Sequence, residues 1–291
     1  MNRRQLLKAL PAAALPALST AAAAQQSGRK SRLRTALCAY SFRQALQAKE
    51  LQYSDLIPMA VDNGIDGLDL TVYWFPNTSD SFLLPLRREA YRNAVEIYSI
   101  SIRTNMCQPT PELREKEIAE VRKWVDVANT LGAGHIRVFG GNVPKDATED
   151  QAAGWVKEVL KRSADYAATK GIILGLENHG GITERAERII EIVKAVDTPW
   201  VGINLDTGNF NRRVFEQIEM CLPYSVNVQV KAEMRDDTGQ RGRQDWNRVV
   251  GMIARSGYRG YLALEYESQE PAASAVPRLL GELRQVVAKH S

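Results

Sequence analysis

The fold of this chain is decided by two stretches, Ile172-Ile173-Leu174-Gly175-Leu176-Glu177-Asn178-His179 and Val201-Gly202-Ile203-Asn204-Leu205-Asp206-Thr207-Gly208-Asn209. Each is a short apolar run that ends in carboxylates and amides, a pattern typical of a buried strand in a parallel sheet. The same pattern returns at residues 226–231 and 261–267. Four consecutive strands of this kind predict a sheet whose chemistry gathers at the carboxyl ends of its strands.

The alternation of short strands with longer amphipathic stretches extends over the whole body of the chain. The predicted strands are 35–40, 67–72, 99–105, 135–139, 172–177, 201–206, 226–231 and 261–266, and predicted helices include 111–131, 150–170, 183–196 and 245–256. Eight such units in about 260 residues are the size of a (β/α)8 TIM barrel, here a single α/β domain over 35–291. A doubly wound sheet is the alternative, but Tyr40-Ser41-Phe42-Arg43 after the first strand is not the glycine-rich loop typical of it.

Composition narrows the function classes. The 291 residues are 44% hydrophobic and 25% charged, which is globular, and three cysteines allow at most one disulfide. The formal charge of +4 comes largely from the first 24 residues, because removing Arg3, Arg4 and Lys8 leaves 35 basic against 34 acidic residues. A nearly neutral body argues against nucleic acid as a partner.

The first 24 residues have the organisation of an export signal. The stretch 2–8, Asn-Arg-Arg-Gln-Leu-Leu-Lys, resembles a twin-arginine signal, an apolar run follows it, and Ala22 and Ala24 suit cleavage before Gln25. A basic helix or a membrane anchor is the alternative, but the apolar run is short and interrupted by two prolines. We therefore predict an exported, periplasmic protein without a stable membrane anchor, carried by the twin-arginine machinery, with residues 25–34 as a basic tether.

The strand ends predict a metal site. Three carboxylates buried around one cavity would cost several kcal/mol each without compensation, and a divalent cation removes that cost. Oxygen ligands suit Mn²⁺ or Mg²⁺ better than Zn²⁺. The predicted ligands are Glu177, Asp206, Gln229 through its amide oxygen, and Glu265. The alternative is that these residues are strand-end caps and surface salt bridges.

These motifs resemble the xylose-isomerase-like TIM barrels of the sugar phosphate isomerase/epimerase superfamily. The resemblance covers nearly the whole body, and its specific parts are residues 176–179, 205–209, 228–231 and 264–267. It implies one divalent metal held by Glu, Asp, His and Glu, with Glu177 and Glu265 as the catalytic proton-transfer pair. The sequence departs from that pattern twice: Gln229 stands where His is usual, and Asn209 stands where the epimerases often have His.

The resemblance also implies the reaction. We expect an exported sugar isomerase or epimerase that works through an enediolate, with one divalent ion: Mn²⁺ first, Mg²⁺ or Co²⁺ as alternatives. A lyase or hydrolase of 3-keto-glycosides would use the same enolate. A catalytically silent barrel that binds carbohydrate, with Gln229 marking a decayed site, is the alternative outside enzymes. A homodimer is expected because such barrels often pair.

The predicted substrate contacts lie at strand ends, where aromatic faces and forked donors suit sugar rings. The resemblance assigns Lys231 to the lysine of the seventh-strand motif and Arg235 to a substrate-binding arginine. The complete predicted set is His179, Asn209, Lys231, Arg235, Arg137, Tyr40 and Asn105.

Overall fold

The computed structural model describes residues 31–236 and 238–291. Within these ranges eight parallel strands form the barrel: β1 (Arg32–Cys38), β2 (Gly67–Thr71), β3 (Glu96–Ser101), β4 (His135–Phe139), β5 (Ile173–Glu177), β6 (Val201–Asp206), β7 (Ser225–Lys231) and β10 (Arg259–Glu265). A short antiparallel hairpin follows β7 and consists of β8 (Glu233–Arg235) and β9 (Arg241–Arg243). The α-helices in the described part of the chain are α1 (Arg43–Ala48), α2 (Leu56–Asp62), α3 (Asp80–Arg92), α4 (Pro111–Leu131), α5 (Glu149–Ala168), α6 (Ala186–Val196), α7 (Val214–Cys221), α8 (Trp246–Arg255) and α9 (Ala272–His290).

The sheet closes on itself. β1 pairs in parallel with β2 on one side and with β10 on the other, where Ala36 lies opposite Ala263. Around the barrel the strand order is β1, β10, β7, β6, β5, β4, β3, β2. The prediction of a single (β/α)8 barrel is confirmed. All eight carboxyl ends therefore meet at one mouth.

Local sequence explains where the long helices begin and end. The Thr110 hydroxyl accepts a hydrogen bond from the Leu113 N–H (3.3 Å), Pro111 starts α4, and Gly132 ends it at φ +82°. The predicted helix 111–131 is thereby confirmed. The predicted third strand, 99–105, is wrong: the sheet uses Glu96–Ser101, because Glu96 and Ile97 already pair with β2 and the strand ends at Ser101.

The two faces of the strands differ in polarity. Leu174 and Leu176 of β5 belong to the large apolar core, while the alternating positions Gly175 and Glu177 face the barrel interior. A Cβ at Gly175 would stand 2.2 Å from Nε2 of His135, so glycine makes room for this buried imidazole. The interior of this barrel is therefore polar rather than filled with branched aliphatic residues.

Only the end of the predicted N-terminal segments, residues 31–34, lies within the described residues. The predicted export signal, residues 1–24, lies outside the described residues. The tether prediction for 25–34 is wrong for residues 32–34, which form the start of β1: Leu33 is buried, and Arg34 Nη1 donates to the Tyr261 hydroxyl at 3.1 Å. Among the described helices, none combines the length and apolarity needed to cross a bilayer.

Candidate functional site

Three carboxylates converge at the mouth of the barrel. Glu177 ends β5, Asp206 ends β6 and Glu265 ends β10. All three are buried, with exposed fractions of 3%, 0% and 7%. Each follows an apolar run, so the strand alternation predicted from the sequence places them on the inner face. The structure thus brings together three of the four predicted metal ligands.

Lys231, the last residue of β7, places its ammonium group among these carboxylates. Its Nζ lies 2.5 Å from Oε1 of Glu265, 3.2 Å from Oδ2 of Asp206 and 2.5 Å from Oε2 of Glu267. The Lys231 side chain is 8% exposed, so these ion pairs are shielded from water. Lys231 therefore supplies a buried positive charge at the centre of the acidic group.

A second cation holds Glu177. Arg137 on β4 places Nε 2.9 Å from Oε2 of Glu177, while its Nη1 donates to the Tyr73 hydroxyl (3.0 Å) and the Ile102 carbonyl (3.1 Å). Asn209 Nδ2 donates to the other oxygen, Oε1, at 3.0 Å. Both oxygens of Glu177 are thus fixed in orientation by residues that the sequence predicted as substrate contacts.

The electrostatics of the three carboxylates differ. Burial raises the pKa of Glu177 to about 8 even though Arg137 opposes the shift, and Asp206 and Glu265 reinforce it. Burial likewise raises the pKa of Asp206 to about 7 against the influence of Lys231. Burial also pushes the pKa of Glu265 upward, but the Lys231 ammonium outweighs this and the net shift is downward. Burial therefore favours the neutral form of Glu177 and Asp206, whereas the Lys231 ammonium favours the ionised form of Glu265.

Gln229, the fourth predicted ligand, lies in a different set of contacts. Its Oε1 accepts from Asn204 Nδ2 at 2.8 Å, and its Nε2 donates to Oδ2 of Asp69 at 3.1 Å. Asp69 also accepts from the Ser101 hydroxyl at 2.9 Å, and Asn227 Nδ2 donates to Asn204 Oδ1 at 2.8 Å. These side chains form one hydrogen-bonded network across the barrel interior. The Gln229 oxygen would have to leave Asn204 to bind a metal.

The carboxylate oxygens fit a divalent cation by their chemistry. Oδ2 of Asp206 is buried and accepts no hydrogen bond within the described ranges, and its charge is opposed by the Lys231 ammonium at 3.2 Å. In the present arrangement, however, no group of three or more His, Cys, Asp and Glu side chains among the described residues has metal-binding geometry. The Lys231 ammonium lies between the facing oxygens of Asp206 and Glu265.

The other predicted contacts are spread around the mouth. His179 packs its ring against Phe139, with centroids 4.3 Å apart, and Tyr40 stacks on Trp74 at 6.0 Å. Arg235 lies on β8 and donates from Nη1 to the Gly239 carbonyl at 2.9 Å.

Asn105 lies in the loop after β3, where its backbone N–H donates to Oε2 of Glu117 at 3.1 Å. Within the part of the chain that the structure describes, no hydrogen bond joins Asn105 to the three carboxylates of the mouth, which are Glu177, Asp206 and Glu265. Its predicted role in binding substrate stays a prediction.

Two residues near the site, Cys38 and Asp69, were not predicted from the sequence to belong to it. Cys38 at the end of β1 directs its thiol to Oε2 of Glu265 at 3.3 Å. Asp69 is a buried acid in the middle of an otherwise apolar strand. An acidic residue inside such a run is a signal in the sequence that could have indicated a place in the barrel interior. Cys38 carries no such signal, because a free cysteine in an apolar strand is usually a small hydrophobic residue of the core.

The chain is thus a closed (β/α)8 barrel with three buried carboxylates at the carboxyl ends of its strands. Residues 57–286 match the family described as Xylose isomerase-like TIM barrel, and the chain belongs to this family. One curated relative, 3-oxo-isoapionate decarboxylase of Pectobacterium atrosepticum, is 29% identical over 112 residues, a match that spans 38% of each chain.

Solved structures share the fold. D-psicose 3-epimerase with D-tagatose from Clostridium cellulolyticum superposes with a TM-score of 0.71 at 18% identity, over 88% of this chain and 97% of that one. A Mycobacterium smegmatis Xylose isomerase-like TIM barrel protein in complex with magnesium gives a TM-score of 0.69 at 21% identity, over the same shares, 88% and 97%. At these identities the likeness establishes the fold alone.

Proposed function

We propose that this protein is an enzyme that moves a proton at the carbon next to a carbonyl group in a sugar or keto-glycoside. The observation that carries the proposal is the convergence of Glu177, Asp206 and Glu265, all buried, at the carboxyl mouth of the barrel. The epimerase among the structural neighbours and the decarboxylase among the relatives support it, because both names describe reactions at carbon next to an oxygen function.

The proton-transfer pair in this proposal is Glu177 and Glu265. They stand on β5 and β10, and the two strands between them around the barrel, β6 and β7, carry Asp206 and Lys231. A substrate bound over β6 and β7 therefore has one glutamate on each side. One removes the proton, and the other returns it to the opposite face or to the adjacent carbon.

The neighbours of the pair hold it in place. Arg137 and Asn209 fix both oxygens of Glu177, and Lys231 and the Cys38 thiol contact the two oxygens of Glu265. Fixed carboxylates lose little freedom when substrate binds, which favours reaction. His179, Tyr40 and Arg235 are proposed to contact the sugar hydroxyls.

We propose Glu177, Asp206 and Glu265 as the ligands of one divalent cation, Mn²⁺ first and Mg²⁺ or Co²⁺ as alternatives, with Gln229 as a fourth ligand if its amide oxygen leaves Asn204. When bound, such an ion supplies positive charge for the negative charge that develops on the substrate oxygens. Such an ion would be held by oxygens of Asp206 and Glu265 that now contact the Lys231 ammonium, which also contacts Glu267. Export to the periplasm and homodimer formation also remain proposals.

The test is hydrogen exchange with solvent. The protein is incubated with Mn²⁺ in D₂O with a panel of ketoses, aldoses and 3-keto-glycosides, and the masses of the products are measured by mass spectrometry. At least one compound should gain deuterium: epimerisation or isomerisation keeps the carbon skeleton whole, whereas elimination splits it. Glu177→Gln should slow the exchange by about 100-fold or more.

The matched control is Glu184→Gln, a change of the same kind at an exposed glutamate close in sequence. It should leave the exchange rate unchanged. Exchange in no compound, or equal exchange in Glu177→Gln and the unaltered protein, would refute the proposed reaction.

A second candidate is a barrel that binds carbohydrate without turnover. The observation that favours it is the engagement of Gln229 Oε1 with Asn204, together with Lys231 between Asp206 and Glu265. The deuterium exchange test distinguishes the two candidates, because a binding protein without turnover should bind sugar while no compound gains deuterium.

A further inference from the structure

Two adjoining cavities open at the mouth of the barrel. The inner cavity, about 110 Å³, is lined by Lys231 and Glu265 together with Asn209 and Arg235. The outer cavity, about 580 Å³, lies against the hairpin β8–β9 and the start of α9. Their linings share five residues: Ala232, Glu233, Arg241, Glu267 and Ser268. The two cavities are therefore two compartments of one cleft, and Glu265 of the proposed proton-transfer pair lines the inner one but not the outer one.

The outer compartment is strongly polar, and its charges balance. Its lining holds three arginines, which are Arg241, Arg243 and Arg278, and three glutamates, which are Glu233, Glu267 and Glu270. Since positive and negative groups are equal in number, the compartment favours neither an anion nor a cation as its occupant.

The charges are also paired within the protein. Arg241 Nε lies 3.0 Å from Oε2 of Glu233, Arg278 Nη2 lies 2.6 Å from Oε2 of Glu270, and Glu267 pairs with Lys231. A lining of paired charges presents donors and acceptors side by side. Hydroxyl groups both donate and accept, so an uncharged polyhydroxylated ligand matches such a lining.

The walls of the outer compartment are held by contacts to the barrel. The Tyr266 hydroxyl donates to the Glu270 carbonyl at 2.8 Å, and Arg43 Nη1 donates to the Tyr266 carbonyl at 2.9 Å. On the other side, the Gln244 N–H donates to the Ala232 carbonyl at 2.9 Å and so closes the base of the hairpin. The compartment is thus built into the fold before any ligand binds.

We infer that the outer compartment binds a second sugar unit, so that the ligand is a disaccharide or similar glycoside with its reacting unit in the inner compartment. The assignment of the inner compartment to the reacting unit rests on the proposed function. The outer compartment itself is assigned by its size, its position and its balanced polar lining.

The experiment measures binding rather than turnover. Dissociation constants are determined by calorimetry for methyl β-glucoside and for three disaccharides without a free anomeric carbon, which are trehalose, methyl β-cellobioside and methyl β-maltoside. At least one disaccharide should bind about tenfold more tightly than methyl β-glucoside. Arg278→Ala should remove that gain and leave the binding of methyl β-glucoside unchanged, since one hydrogen bond to a charged group is worth about tenfold in affinity.

Gln269→Ala, in the loop that also lines the compartment, is a second variant that should reduce the gain. The control is Lys289→Ala, at the far end of the same helix α9, which should match the unaltered protein. The inference is overturned if no disaccharide binds better than methyl β-glucoside, or if Arg278→Ala weakens the binding of methyl β-glucoside and disaccharide equally. Because these probes have no carbonyl group and cannot open to one, the result stands apart from the exchange test of the reaction.

Discussion

Lys231 Nζ lies 2.5 Å from Oε1 of Glu265 and 3.2 Å from Oδ2 of Asp206, so a single ammonium group joins the ends of three strands, β6, β7 and β10. Burial lowers the pKa of this lysine, but the three neighbouring carboxylates outweigh burial and hold the pKa well above its ordinary value. The lysine is therefore charged at all physiological pH values. Its charge holds Asp206, Glu265 and Glu267 together, as Arg137 holds Glu177.

Lys231→Met should lower the free energy of unfolding by about 3–5 kcal/mol in the presence of a chelator, because it leaves buried carboxylates without their counter-charge. Added Mn²⁺ should restore most of this loss, since a cation at the same oxygens replaces the ammonium. Urea unfolding with and without Mn²⁺ measures both effects. Lys194→Met, at an exposed position on α6, is the control and should change stability little. Full stability of Lys231→Met in chelator would contradict this account of the lysine.

Gln229→Leu should destabilise the protein by breaking the hydrogen-bonded network of the barrel interior. The substitution removes the partner of Asn204 Nδ2 and of Asp69 Oδ2, and each buried group left unpaired costs about 1–3 kcal/mol. We expect a loss of about 2–5 kcal/mol in urea unfolding. Gln47→Leu on the exposed surface of α1 controls for the change of residue type. Equal stability of the two variants would show that the interior network contributes nothing.

His135 makes stability depend on pH. Burial, and secondarily Arg137, lowers the pKa of this imidazole to about 3, whereas in the unfolded chain it binds a proton near pH 6.5. Below about pH 6.5 the unfolded state alone takes up that proton, so stability falls as pH falls. Between about pH 7 and about pH 5, the unaltered protein should lose about 2 kcal/mol more than His135→Gln.

Urea unfolding at the two pH values measures this difference directly. His290→Gln, near the end of α9, serves as the control and should keep the full pH-dependent loss. If His135→Gln lost as much stability as the unaltered protein, the imidazole would not be the group responsible.

The sequence predicted the strand ends well because their signal is local. An apolar run that stops at Glu177 or Asp206 is readable from a few neighbouring residues, and the barrel then brings such ends together. The third strand was misplaced because the residues on both sides of it are comparably apolar, so only its pairing with β2 fixes the bounds.

Contacts across the barrel could not be predicted in the same way. Gln229 and Asp69 are 160 positions apart, and their hydrogen bond depends on the closure and stagger of all eight strands. The hairpin β8–β9 did carry a local signal, since Asp236 and Gly239 are typical turn residues, and the Asp236 carboxylate accepts from the Thr238 N–H at 2.9 Å. The contact of Lys231 with three carboxylates required the structure.

The central claim, that Glu177, Asp206 and Glu265 hold one divalent cation, is tested most directly by elemental analysis. The purified protein is incubated with Mn²⁺, freed of unbound metal and analysed beside Asp206→Asn and the control Asp62→Asn, an exposed aspartate on α2. The account predicts about one ion per chain in the unaltered protein and in Asp62→Asn, and loss of that ion in Asp206→Asn. A metal-free unaltered protein, or an Asp206→Asn variant that retains the ion, would contradict it.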